Sequence, residues 1–71
     1  MITLRDIELF RRRSLRDKPK DVYLVPVYGS KPMLATYRSP GCRYLGRYTE
    51  TVTTGELLED VDYAWRELAT A

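Results

Sequence analysis

Histidine is absent from this 71-residue chain. With it go the commonest general base and the commonest metal ligand. Cysteine occurs once, at Cys42, so no internal disulfide, zinc cluster or cysteine–histidine pair can be assembled. Small secreted domains usually need several disulfides, so a single cysteine points to a cytoplasmic protein. Long apolar runs are lacking as well. Nothing approaches the ~18 consecutive apolar residues of a membrane span, and Arg5, Asp6 and Glu8 interrupt the stretch a signal peptide would require. The four glycines, at 29, 41, 46 and 55, form no phosphate-cradling motif. Ser14, Ser30 and Ser39 have no activating partner in view, and Glu59, Asp60 and Asp62 fan around a helix axis as a solvated face does. These absences lead to the expectation of a non-catalytic protein with no cofactor, no metal site and no membrane partner.

Length sets the next limit. The chain opens at Met1 and reads as one small domain spanning 1–71. Folded chains near this size bury only about 60% of their unfolded surface, and one such core supplies about 3–5 kcal/mol. Ligand pockets of roughly 300–1,000 Å³ are hard to hollow out of it, so a flat binding surface is the easier device. A hydrophobic fraction of 44% is that of ordinary globular proteins rather than disordered ones.

What is present falls into five segments. Residues 3–17 read as a helix, with Thr3 and Asp6 at capping-box spacing and Leu4, Ile7 and Phe10 on its apolar face. Leu15 extends that face or sits at the helix exit, and Pro19 ends the segment. Residues 22–28 read as a strand that is apolar on both faces. Its Pro26, unable to donate to a ladder, suggests an edge. Gly29-Ser30 has the composition of a tight hairpin turn, residues 33–38 of a second strand, and Ser39-Pro40-Gly41 of a type II turn. Residues 43–52 alternate as a third strand. Residues 54–70 are the strongest helix, capped by Thr53 with Glu56 three residues on, and striped by Leu57, Leu58, Val61, Ala64, Trp65 and Leu68. Trp65 is expected to be largely buried. The expected fold is α+β: helix, three-stranded antiparallel meander, helix, with both helices packed on one sheet face.

Two surface features remain. Charge is segregated: residues 1–47 hold eleven Lys or Arg against four acids, net +7, and residues 48–71 hold one Arg against six acids, net −5. The halves either neutralise each other within one fold or serve partner choice and self-association. The second feature is tyrosine, six in the chain, at 23, 28, 37, 44 and 48 in the expected strands and at 63. Arg38, Arg43 and Arg47 are interleaved with them. Tyr and Arg dominate protein-interface hot spots, and they also stack on bases and contact phosphates. Cys42 reads as a small buried hydrophobe rather than a reactive thiol.

The element order is similar to that of the double-stranded-RNA-binding domain, across the whole chain. That family's resemblance implies a Lys cluster opening the second helix and a His-containing hairpin; here the helix opens Gly55-Glu56-Leu57-Leu58-Glu59, and histidine is absent. Over residues 22–68, Tyr44-Leu45-Gly46-Arg47-Tyr48 followed by Tyr63-Ala64 resembles the last strand and helix of the plant ethylene-response-factor DNA-binding domain. A similar sheet occurs in the arm-binding domains of tyrosine recombinases. Those resemblances imply docking of the sheet in a major groove through Arg38, Arg43 and Arg47. The spacing between Tyr48 and Tyr63 is longer here, and the helix is acidic.

The leading expectation is an accessory protein that binds another protein, as a small inhibitor or regulator of the phage or mobile-element kind does. Its contacts should centre on Arg43, Arg47, Arg38 and Tyr37, with Arg11, Arg12 and Arg13 at the rim. The alternative is a DNA- or RNA-binding module using the sheet and the basic N-terminal half. A homodimer is compatible with the charge split. Strict alternation puts Arg43, Leu45 and Arg47 on one face of the third strand and Tyr44 and Tyr48 on the other. The helices are expected to cover the tyrosine face, because arginines are harder to bury.

Overall fold

The computed structural model describes residues 2–27 and 29–70. The elements run α1 (Leu4–Ser14), β1 (Lys20–Val25), β2 (Met33–Ala35), β3 (Arg43–Tyr48) and α2 (Thr54–Thr70). The chain is therefore α+β, in the expected element order, with three antiparallel strands and helices packed on the sheet. Tyr28, placed in a strand by composition, lies outside the described residues.

Thr3 and Asp6 form a full capping box. The Asp6 N–H donates to Thr3 Oγ1 at 3.2 Å, and the Thr3 N–H donates to Asp6 Oδ2 at 3.0 Å. Ile7 is fully buried and Phe10 half-buried. Leu4, expected on the buried face, is 55% exposed. The helix ends at Ser14, three residues short of expectation. Leu15 leaves it with its N–H donating to the Arg11 carbonyl at 3.1 Å and buries its own side chain. In α2 the Glu56 N–H donates to Thr53 Oγ1 at 3.1 Å. Its deepest line is Leu57, Val61 and Ala64. Trp65, expected to be largely buried, is half-buried beside Leu58 and Leu68, since it sits on the flank of that line.

The strand order is β2-β1-β3, which corrects the expected meander. A meander would put β2 in the middle. The strand that is apolar on both faces belongs there instead, and that strand is β1: Val22, Tyr23, Leu24 and Val25 are all buried. Pro26 does not mark an edge, because β1 ends at Val25 and no ladder hydrogen bond is lost. β2, three residues long with Met33 exposed, is suited to the edge.

This order obliges residues 36–42 to cross β1. Ala35 pairs with Tyr23 and Arg43 with Leu24, so the crossing advances one residue along the sheet while passing two strand spacings, roughly 10 Å. Seven residues span that distance easily. The helices fill one face, where Ile7, Leu57, Val61 and Ala64 meet Leu24, with Leu34 and Leu45 beside them. The crossing takes the other face. Tyr23, Val25 and Ala35 are buried there, with half-buried Cys42 packed against them. The segment contains the expected type II turn: the Cys42 N–H donates to the Ser39 carbonyl at 3.1 Å, and Gly41 takes φ +78°.

β3 carries a bulge. Tyr23 pairs with Tyr44 and Val22 with Gly46, leaving Leu45 as an extra residue. Gly46 has φ +149°, and a Cβ there would stand 3.4 Å from the Tyr48 ring. Gly46→Ala is therefore expected to cost about 1–3 kcal/mol. Gly55→Ala, in the first turn of α2 with open space around it, should leave stability unchanged or raise it by up to about 1 kcal/mol. Urea melts of the two variants check this; equal midpoints would mean that the bulge is dispensable.

Candidate functional surfaces

The bulge re-sorts the side chains of β3. On its N-terminal side, Arg43 and Leu45 face the helices and Tyr44 faces away. Beyond it, Tyr48 turns toward α2 and Arg47 turns outward. Neither arrangement expected from strict alternation is therefore present. Each face receives one arginine and one tyrosine, which corrects the expectation that the helices cover both tyrosines. Arg43 Nη2 donates to Glu67 Oε2 of α2 at 2.5 Å. The Tyr48 hydroxyl lies against the Asp60 carboxylate and 3.3 Å from the Leu45 carbonyl. Burial, together with Asp60, pushes the Tyr48 phenol well above its usual range.

On the helix-free face, the Tyr44 hydroxyl donates to Asp21 Oδ1 at 3.0 Å, and Arg47 Nη1 lies 3.6 Å from Asp21 Oδ2. The hydrogen bond to Asp21 raises the Tyr44 pKa. The Tyr44 ring rests on Tyr23 with centroids 5.3 Å apart, tilted by 52°. Tyr44 is 52% exposed, and Tyr37, on the crossing segment, is 57% exposed. Arg38, next to it, is exposed and has no hydrogen-bond or ion-pair partner among the described residues. Tyr44, Arg47, Tyr37 and Arg38 thus belong to the side of the sheet that no helix covers.

Three of the four arginines of α1, at 11, 12 and 13, divide. Arg11 works inside the molecule: Nη1 donates to Thr54 Oγ1 at 3.0 Å and Nη2 to the Glu50 carbonyl at 2.9 Å, tying α1 to the segment before α2. Its buried Nε has no partner. Arg12 pairs with Glu8 at 2.8 Å on the exposed surface. Arg13 is exposed, and it lines a groove that sequence reasoning missed.

That groove, about 300 Å³, runs between α1 and the β2 edge. Ile2, Leu9, Phe10, Pro32 and Leu34 make its apolar lining, and Asp6, Arg13 and Lys31 its charged border. Lys31 Nζ donates to Asp6 Oδ2 at 2.8 Å and joins the two walls. A signal for it exists in the sequence: Leu9 stands beside the Ile7–Phe10 stripe, an apolar residue that the core does not consume.

Among the described residues, no group of acids and cysteine is placed to hold a metal ion, and no helix is long and apolar enough to cross a membrane. No protein-family model matches the chain, and neither a curated protein nor a solved structure does.

Asp6 gives the groove a pH dependence. The Lys31 ammonium and the Thr3 N–H hold its carboxyl at about 2, below the ordinary 3.8. A depressed carboxylate stabilises the fold fully above its unfolded value, and that contribution disappears as pH falls through the folded one. Asp6→Ala is expected to melt a few degrees below the parent at pH 7, with the gap shrinking between pH 4 and 2. A gap that persisted at pH 2 would show that the charge of Asp6 contributes nothing.

Proposed function

We propose that this chain is a non-catalytic accessory protein that acts by binding another protein, in the manner of a small inhibitor or regulator. The observation that carries this reading is the helix-free sheet face, where exposed Tyr37, Tyr44, Arg38 and Arg47 lie over a buried tyrosine-lined layer. Tyr and Arg over a packed base are the composition of interface hot spots. Tyr44 and Arg47 are pre-positioned by Asp21, so less rotamer freedom is lost on binding. A standard interface takes roughly 800 Å² from each partner, about a sixth of this molecule's 5050 Å².

The nucleic-acid alternative uses the sheet and the basic N-terminal half, and its sheet part asks Arg38, Arg43 and Arg47 to share one open face. Arg43 is held by Glu67 on the opposite side, and Arg47 is partly neutralised by Asp21. Of these three, Arg38 alone has no partner among the described residues. That geometry favours the protein partner.

The test is affinity capture from a lysate of the encoding organism, run with the parent, with Tyr37→Ala/Arg38→Ala and with Tyr44→Ala. Each substitution at a hot spot should weaken a captured complex by about 2 kcal/mol or more, and Tyr37→Ala/Arg38→Ala should leave the melting temperature unchanged. Retention of the same protein by both variants would sink the assignment to this face. Steeply salt-dependent, micromolar binding to generic duplex would establish the nucleic-acid reading instead.

A further inference from the structure

We infer that the groove between α1 and β2 is a second docking site, for an extended acidic–apolar segment of a partner protein. It lies on the helix-bearing side of the sheet and is independent of the tyrosine–arginine face.

Three features specify the occupant. The lining is apolar, supplied by Ile2, Leu9, Phe10, Pro32 and Leu34, so it takes side chains rather than phosphates. The border is basic. Arg13 lines the groove, is exposed and has no hydrogen-bond or ion-pair partner among the described residues. Lys31 stands on the facing wall, with Asp6 as the single acid. Acidic residues flanking the apolar ones complement that border and would steer the encounter.

The third feature is the edge itself. β2 is the outermost strand on this side. In an antiparallel pair, successive residues turn their N–H and C=O groups alternately toward and away from the partner strand. At least one residue of Met33–Ala35 therefore presents its backbone outward. A strand laid along β2 satisfies those groups, while its alternate side chains enter the groove. A helix about 10 Å across would rest on a groove of about 300 Å³ rather than fill it. The walls are already braced by the Lys31–Asp6 contact, so the site is formed before its occupant arrives.

Selection of displayed random 12-residue peptides on the full chain tests this. The expected outcome is enrichment of sequences alternating apolar residues with Asp or Glu. The synthetic winner should shift the amide resonances of Met33–Ala35 and of α1. Leu9→Ser, which touches neither core cluster, should weaken that peptide at least tenfold. Arg13→Glu should do the same and regain affinity for a version with Lys in place of its acids. Tyr37→Ala/Arg38→Ala should bind it like the parent, which separates this site from the open face. Enrichment of helical or basic peptides, resonance shifts confined to Tyr44 and Arg47, or occupation of the groove by a second copy in sedimentation would each overturn the inference.

Discussion

β1 is a strand with no polar side from Val22 to Val25, and the architecture follows from the need to cover it twice. A half-buried strand of a small sheet normally keeps one face in water. Here the helices dispose of one face through Leu24, and Tyr23 and Val25 remain on the other. Both helices of the described residues are committed to that first face. The chain meets the demand by drawing the β2–β3 connection across the sheet, where it serves as link and cover at once.

The Gly46 bulge then decides which polar groups meet α2. Without the extra residue, Tyr48 would point away from Asp60 and Arg47 toward the helices. With it, each charged or phenolic group finds a partner: Arg43 with Glu67, Tyr48 with Asp60, Arg47 and Tyr44 with Asp21. Of these contacts, Arg43–Glu67 is the one ion pair that joins the basic half of the chain to the acidic half. These contacts are exposed or half-exposed, and such pairs are individually worth less than about 1 kcal/mol. Their effect is to orient side chains more than to hold the fold.

Local signals were legible in the sequence, and pairing was not. The Thr3–Asp6 capping box, the Thr53 cap, the Ser39–Cys42 turn and the limits of α2 follow from interactions within a few residues, so spacing alone reveals them. Strand order depends on which strand most needs burial. The apolar faces of residues 22–25 announced that need, but Pro26 was read as an edge marker when it stands just past the strand. The face assignment of Arg43, Tyr44, Arg47 and Tyr48 failed because one glycine shifts parity, and the glycine inside Tyr-Leu-Gly-Arg-Tyr is itself the bulge signal that strict alternation overlooks. The sequence places Arg11 at the rim of a binding surface, but its partners, Glu50 and Thr54, lie about forty residues away. The groove escaped notice because it exists only where α1 passes over the hairpin.

The crossing segment also bears on how the molecule assembles. β1 and β2 are close in sequence and can pair early, but the strap over Tyr23 and Val25 closes only once β3 has found the far side of β1. That closure joins Lys20 to Tyr48, a long loop paid for in chain entropy before its contacts reward it. Neither the hairpin nor α2 is then a stopping point. Loosening the strap exposes the second apolar layer, so its seven residues couple the two halves of the chain into one cooperative unit.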